Sequence, residues 1–330
     1  METKREFNTW REMLGFLTKN PPEKQRLAHE ADVSVITLRR WVTGESNPRE
    51  DNLRQLVGAI SSEFVAQFRR LLEVDYPLIA REELVRGRIV PEVSADLYAQ
   101  VMRVYAKTPS ILAGDTLYKL IFERALEHLD PDKLGLSLAL VCCVHPLPGH
   151  KVRSLRQVRG LGTPPFEREL ERKTMFLGSE SVAGHAVMNY RLAIVESRDS
   201  TSFTSANWTD YEESAIASPI LRQARVVGAL LASSAIPHYF TPAHQALLEL
   251  YSPLAGLMFD SSEFYDPMDI MLGVMPAFDQ QIPLFANFEQ RVALKMTSRS
   301  QGKNTITIQQ AHQLVWHDIS EELLQVSSSL

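Results

Sequence analysis

Apolar residues recur at helical spacing through the first hundred positions of the chain. Trp10, Leu14 and Leu17 fall on one side of a helix, and Pro21 stands where a second helix can begin. Similar spacing continues beyond residue 60, with proline and glycine breaks between the apolar groups. The pattern therefore predicts two helical stretches, at 7–60 and 62–107.

The pattern changes to period two after residue 131. Leu134, Leu136, Leu138 and Leu140 alternate with smaller residues, as in a strand with one strongly apolar face. Further strand and helix patterns follow, and the chain becomes helical again after residue 260. Such a mixture indicates an antiparallel sheet carrying helices. The predicted strands lie at 151–159, 192–196 and 223–233, and the predicted helices at 116–129, 164–173, 180–189 and 241–259.

These patterns predict a multidomain fold of the α plus α+β class. A chain of 330 residues exceeds the usual size of one domain, about 100–200 residues, so more than one domain is expected. We expect an N-terminal helical bundle, a helical connector, an antiparallel sheet with flanking helices, and a C-terminal helical segment. Their predicted boundaries are 1–61, 62–112, 113–262 and 263–330.

Composition and charge narrow the class of protein. Apolar residues make up 45% of the chain and charged residues 23%, as in a soluble globular protein. The formal charge of -5 excludes a protein coated in nucleic acid, so any DNA-binding surface must be local. The sequence shows no secretory leader core, no membrane-spanning run and only two cysteines. We expect a cytoplasmic protein with no membrane segment.

The stretch EADVSVITLRRWVTGESNP predicts a short helix with defined ends. Ser34 can cap its first turn, because the hydroxyl can accept a hydrogen bond from a free backbone N–H group. Gly44 suits a left-handed stop, and Pro48 prevents the helix from continuing. The predicted helix therefore covers 35–43 and leaves two arginines on its solvated side.

The longer stretch QRLAHEADVSVITLRRWVTGESNPREDNLRQL resembles the phage-repressor-like, XRE-type helix-turn-helix. The matching features include Leu27 in the first helix of the motif. Leu38 and Trp41 stand at the core positions of its second helix, 35–43. Asp32 stands where such turns usually have glycine, and aspartate tolerates the positive φ that the turn needs. The resemblance covers about residues 7–60 and implies that the chain binds a double-stranded DNA operator.

The resemblance also implies which residues face the DNA. Small apolar groups on the second helix would contact thymine methyls, and arginines would contact guanine edges or phosphates. Acidic residues accompany these basic ones, so a single module would bind weakly, and a homodimer reading two half-sites is expected. The implied DNA-binding residues are Lys24, Ser34, Val35, Ile36, Thr37, Arg39 and Arg40.

Two later stretches resemble a GAF domain of the kind fused to helix-turn-helix modules in bacterial regulators. They are GTPPFERELERKTMFLGSESVAGHAVMNYRLAIV and SAIASPILRQARVVGALLASSAIPHYFTPAHQALLELYSPLAGLMF. The resemblance covers about 113–260 and implies a sheet and helices that enclose a small molecule or pair subunits. The residue set that marks cyclic-nucleotide GAF domains is absent, so a cyclic nucleotide is disfavoured as the ligand. The small-molecule ligand is otherwise unidentified, and no cofactor is predicted. The candidate ligand-binding residues are Ser137, Phe176, Phe203, Trp208 and Tyr211, although the aromatic ones also fit a plain core.

The sequence shows no recognised catalytic motif, such as GxSxG, HExxH, a P-loop or a spaced cysteine set. We therefore expect no enzymatic activity and no metal site. The adjacent Cys142 and Cys143 fit either redox sensing or simple packing. The sequence predicts a transcriptional regulator in which a GAF-like sensor controls DNA affinity through dimer geometry. The alternative is a protein-interaction scaffold, in which the helix-turn-helix binds protein and the GAF-like domain only dimerises.

Overall fold

The chain divides by its internal contacts into two compact units, Met1–Ile89 and Val90–Leu330. The division falls inside the stretch predicted as a connector, 62–112. The structure is a computed structural model. None of the helices formed by its described residues is both long and apolar enough to cross a membrane. The described residues are 7–72, 74–76, 91–170, 174–198, 208–209, 211–300 and 306–328.

The described residues of the first unit form five helices, and apolar side chains from all of them meet in one core. Trp10, Leu27, Leu38, Leu53 and Phe68, one from each helix, are fully buried there. The fifth helix, predicted as the start of the connector, therefore belongs to this core. The helices are α1 (Trp10–Leu17), α2 (Pro21–Glu30), α3 (Val35–Thr43), α4 (Glu50–Ala59) and α5 (Ser62–Leu72).

Local residue chemistry sets the turn between α2 and α3. Asp32 adopts a left-handed backbone conformation with φ of 50°. Ser34 is extended, and its hydroxyl accepts a hydrogen bond from the Thr37 N–H at 3.1 Å. Gly44 ends the helix with φ of 78°, a conformation that glycine adopts without steric cost. The predicted helix at 35–43 and both of its ends are confirmed.

The second unit contains a six-stranded sheet in which every named pair of strands is antiparallel. The strand order is β3-β2-β1-β6-β5-β4, so that β1 and β6 form the centre. The strands are β1 (Leu136–Cys143), β2 (Leu155–Gly162), β3 (Phe176–Leu177), β4 (Ala193–Val195), β5 (Ser214–Arg222) and β6 (Arg225–Ser234). The helices before, among and directly after the strands are α6 (Ala95–Lys107), α7 (Ser110–Leu129), α8 (Val182–Asn189) and α9 (Pro242–Ala255).

Both faces of this sheet are covered. The first six residues of β1 are all buried, which requires neighbours on each side because successive side chains point to opposite faces. Ala139 and Val141 share a cluster with Val182 and Ala186 of α8. Helices α7 and α9 pack against each other and against the sheet. The strands therefore lie between α8 and the α7–α9 layer.

Three helices in the described C-terminal residues also belong to the second unit. They gather around Phe176 of the edge strand β3, together with Val315 and Ile319 of the last helix. Trp316 stacks on Phe288 with 4.0 Å between the ring centroids. The predicted C-terminal segment is thus part of the core of this unit. The helices are α10 (Phe278–Phe285), α11 (Phe288–Ser300) and α12 (Ile308–Ser328).

The sheet region differs from the sequence prediction at several places, among them the two-residue strand β3, which was not predicted. The described part of the predicted helix at 164–173 forms turns and a bend, and Glu169 returns to bridge Leu161. Strand β5 was not predicted, because seven consecutive buried residues leave no alternation of apolar and polar groups.

Candidate functional site

The exposed side of α3 carries apolar and basic groups next to one another. Ile36 is 70% exposed and Val35 37% exposed. Arg39 and Arg40 are also exposed, and Thr37 is half-buried. Apolar side chains that remain accessible beside cations suit contact with another molecule.

The opposite side of α3 fixes the helix in the first unit. Leu38 and Trp41 are buried in the core. The guanidinium of Arg11 donates hydrogen bonds to the Trp41 carbonyl and, at 2.6 Å, to the Asn47 side-chain oxygen. These contacts hold α3 and the loop after it against α1, so the exposed face has a defined orientation in its unit.

The capping residues at the start of α3 are already hydrogen-bonded. The hydroxyls of Ser34 and Thr37 lie 2.9 Å apart, in addition to the bond from the Thr37 N–H to the Ser34 hydroxyl. Ser34 therefore acts first on the helix itself, by positioning its first turn. Each hydroxyl keeps further hydrogen-bonding capacity for a second partner.

The positive charges near α3 differ in how far they are neutralised. Arg26 lies between Glu23 and Glu30, at 2.6 and 3.0 Å, which makes it part of the structure of α2. The Arg40 guanidinium lies 3.8 Å from the Glu45 carboxylate, and both side chains are largely exposed. Arg39 has no ion pair or side-chain hydrogen bond within the described residues, so its charge is available to a partner.

Lys24, the remaining predicted DNA contact, lies on α2. Its side chain is half-buried, and it has no ion pair with any described residue. The structure thus brings Ser34, Val35, Ile36, Thr37, Arg39 and Arg40 together on one helix and its cap.

The second unit contains a small cavity between the sheet and the start of α8. It offers about 40 Å³ of space that a water-sized molecule can reach. That volume fits a few waters or a small part of a ligand. Four polar residues reach the cavity, and its other lining residues are apolar, with Trp208 among them. The polar residues are Gln157, Ser181, Glu212 and Ser233.

Glu212 brings a carboxyl group to this cavity. Burial raises the pKa of Glu212, and hydrogen bonds from Thr209 and Ser233 act in the opposite direction. One of those bonds joins the Thr209 N–H to a Glu212 carboxylate oxygen at 2.8 Å. The oxygens of this carboxyl group can accept hydrogen bonds, which suits a small polar ligand that carries a donor.

Ser181 has a structural task at the same place. Its hydroxyl accepts a hydrogen bond from the Gly184 N–H at 2.9 Å and donates one to the Gly178 carbonyl at 2.8 Å. These bonds cap α8 and fix the loop before it. The start of α8 therefore forms a rigid wall of the cavity.

The five predicted ligand-binding residues lie in different places. Trp208 lines the cavity. Ser137 is buried in β1 outside its lining, and Phe176 packs among the C-terminal helices. Tyr211 is 52% exposed, and Phe203 lies outside the described residues. The cavity residues Gln157, Ser181, Glu212 and Ser233 were not predicted, because no spacing along the chain links residues that meet only through the sheet.

The two cysteines carry free thiols that are half-buried. Burial raises the pKa of Cys142 to about 12, and burial raises the pKa of Cys143 as well. The thiolate is the reactive form of cysteine, so these environments keep the thiols in their inert form at neutral pH. Packing, one of the two roles considered for them, fits this setting better than redox sensing.

No protein-family model matches the sequence, and no curated protein matches it significantly. Several solved structures, however, are similar to part of this chain. One is the GAF domain region of a putative membrane protein from Geobacter sulfurreducens PCA. It is 21% identical, with a TM-score of 0.34, over 45% of this chain and 97% of that one. A putative GAF sensor protein from Burkholderia vietnamiensis is 18% identical, with a TM-score of 0.31, over 51% and 98%.

An enzyme is also among the matching structures. The type II free methionine-R-sulfoxide reductase from Thermoplasma acidophilum is 14% identical, with a TM-score of 0.32, over 46% of this chain and 99% of that one. Solved GAF domains and this reductase are therefore both similar to about half of this chain. The TM-scores are too low to carry an argument about ligand or activity.

Proposed function

We propose that the chain is a sequence-specific DNA-binding transcriptional regulator whose operator affinity is controlled by a GAF-like sensor domain. The observation that carries the proposal is the exposed face of α3, where Ile36 adjoins Arg39 and Arg40 on a helix fixed by its buried side. The first unit then acts as an XRE-type helix-turn-helix. A homodimer presents two copies of it to the two half-sites of an operator.

Each group on this face has a chemical counterpart on duplex DNA. Val35 and Ile36 suit the methyl groups of thymine, which are accessible in the major groove. Arg39 and Arg40 suit guanine edges or phosphates, and Lys24 suits a phosphate beside α2. A face of this composition can therefore both read a sequence and hold the backbone.

The cavity beside α8 is the proposed sensor site. Glu212, Ser181 and Ser233 offer hydrogen-bonding groups to a small polar molecule, and Trp208 offers an apolar surface. The molecule would act by binding one dimer geometry more tightly than another, because only differential affinity shifts an equilibrium. The proposal assigns no catalytic step to the chain.

The DNA-binding part of the proposal is tested with DNA duplexes that the full-length protein selects from a random pool. Fluorescence anisotropy over a salt series then compares the wild type with Arg39→Ala plus Arg40→Ala. Removal of the two guanidinium groups should weaken binding by about tenfold to several hundredfold. The salt slope should fall by about 0.9 for each phosphate that is no longer neutralised.

A matched control removes the same charge elsewhere. Arg70→Ala plus Lys119→Ala changes exposed positions on α5 and α7 and should leave affinity and salt slope unchanged. The proposal fails if the selection returns no retained duplex, or if the α3 variant binds a selected duplex as the wild type does.

A protein-interaction scaffold is the second candidate, because an isoleucine that is 70% exposed also suits an apolar groove on another protein. In that case α3 binds protein and the second unit only dimerises. The duplex selection would then return nothing, and self-association would persist in the Arg39→Ala plus Arg40→Ala variant.

A further inference from the structure

Gln157 is a buried polar residue whose side chain the fold leaves without a hydrogen bond. It lies in β2, is 7% exposed and lines the cavity beside α8. Its backbone N–H donates to the Met175 carbonyl at 2.8 Å, whereas its carboxamide makes no hydrogen bond with a described residue. An unpaired amide is costly to bury, so this group is available to a molecule in the cavity.

Glu212 supplies the only formal charge among the described residues that line the same cavity. Its carboxyl group accepts hydrogen bonds from the Thr209 N–H and from the Ser233 side chain, which fix its orientation. Arg198 also acts on this carboxyl group, but it is exposed and lies outside the lining. The cavity therefore presents an acidic group whose counter-ion is not a lining residue.

We propose that this cavity binds the ammonium group of a small alkylamine that carries no carboxylate. An ammonium group offers one positive charge and three N–H donors, which suit the oxygens of Glu212 and Gln157. Leu177 and Val182 offer an apolar wall to a short alkyl chain, and Trp208 offers an aromatic ring, which attracts cations. Control of DNA affinity by this ligand rests on the proposed function, whereas its binding in the cavity does not.

The lining also limits the size and charge of the ligand. A free amino acid would bring a carboxylate next to Glu212, and no described lining residue is a lysine, arginine or histidine that could pair with it. The accessible volume of about 40 Å³ corresponds to about three waters. The enclosed part of the ligand should therefore be about as large as propylammonium.

An NMR titration of the full-length protein with propylammonium chloride tests the ligand class. The chain has four tryptophans, so the indole N–H signals are few, and Trp208→Phe identifies the signal from the cavity. Propylammonium should shift the Trp208 signal to saturation, with a dissociation constant in the millimolar range, because so small a ligand makes few contacts. Sodium chloride at the same ionic strength should leave this signal in place.

Two compounds of similar size separate the contributions of charge and shape in the wild-type protein. Propan-1-ol keeps the alkyl chain and lacks the positive charge, whereas β-alanine keeps the ammonium group and adds a carboxylate. Each should bind at least about tenfold more weakly than propylammonium, because a hydrogen bond between charged groups is lost or a carboxylate is left unpaired. Propan-1-ol or β-alanine binding as tightly as propylammonium overturns the proposal.

Glu212→Gln removes the charge with little change in side-chain shape. It should weaken propylammonium binding at least about tenfold and change propan-1-ol binding by less than about twofold. Glu213→Gln is the matched control, because it removes the same charge at the next position, outside the lining, and should bind both compounds as the wild type does. A folded Glu212→Gln variant with wild-type affinity for propylammonium contradicts the proposal. If this variant does not fold, the comparison of compounds in the wild type still decides.

The outcomes separate this inference from the proposed function. Binding of propylammonium at Trp208 without any retained duplex supports the ligand class and refutes the regulator. Retained duplexes without propylammonium binding support DNA binding and refute the ligand class.

Discussion

Helices α3 and α8 are built by the same local rules and end in opposite environments. Each follows a serine whose hydroxyl accepts a hydrogen bond from the N–H three residues on, Ser34 for α3 and Ser181 for α8. Each ends at a left-handed residue, Gly44 with φ of 78° and Tyr190 with φ of 55°. Helix α8 is largely buried within the second unit, whereas α3 leaves one side exposed on the first unit.

Side-chain size and charge explain why α8 is buried and α3 is exposed. Helix α8, VAGHAVMN, has small residues that let it lie close against a sheet, and five of its eight residues are buried. Helix α3 carries Arg39 and Arg40, whose charges are costly to bury without partners. Capping thus decides where a helix begins and ends, while side-chain composition decides which surface the helix can join.

Acid should lower the free energy of unfolding of the second unit, which buries α8, more than that of the first unit, which leaves α3 exposed. Burial lowers the pKa of His244 in α9 to about 4, below its ordinary value of 6.5. The folded state therefore favours the neutral ring, and its stability is full above pH 6.5 and falls as the pH drops towards 4. The loss at pH 4 should reach at most about 3 kcal/mol.

Urea unfolding of the second unit at pH 7 and pH 4.5 measures this effect. His244→Asn removes the titrating ring and keeps an oxygen that can serve the helix cap, so it should show a flatter dependence on pH. A wild-type free energy of unfolding that stays constant over this range would disprove the prediction.

Two glycines sharpen the contrast between close and open packing. A Cβ atom at Gly184 in α8 would collide with the Gly178 carbonyl, whereas a Cβ atom at Gly58 in α4 has nothing within 4 Å. Gly184→Ala should destabilise the second unit by about 1–3 kcal/mol. Gly58→Ala should stabilise the first by about 0.5–1 kcal/mol, through helix propensity alone. If urea unfolding shows that both variants change the free energy of unfolding in the same direction, the contrast between close and open packing is wrong.

The two capping serines provide the smallest test. Ser34→Ala should destabilise the first unit by about 1 kcal/mol, because water can replace an exposed cap. Ser181→Ala should cost about 1–2 kcal/mol in the second unit, because the buried Gly178 carbonyl also loses its hydroxyl donor and keeps only the Ser181 N–H. Serine-to-threonine variants, which keep the hydroxyl, are the controls. An equal loss at both sites would mean that burial adds nothing to a cap.

Local signals made part of this structure predictable. The bounds of α3 followed from Ser34 and Gly44, because capping and left-handed stops act within one helical turn. The alternation of leucines with smaller residues along β1 was also predictable, because it too depends on neighbouring residues in the chain. Strand β5 and the cavity were not visible, since β5 is buried on both faces and Glu212 meets Gln157 only through strand pairing.

Local sequence sets where α3 begins and ends and places Arg39 and Arg40 on one helix, because these features depend on neighbours along the chain. Only the tertiary structure decided which sides of α3, α6 and α8 remain open. Burial depends on long-range packing, and the same apolar side chain can fill a core, as Leu38 does, or stand exposed, as Ile36 does.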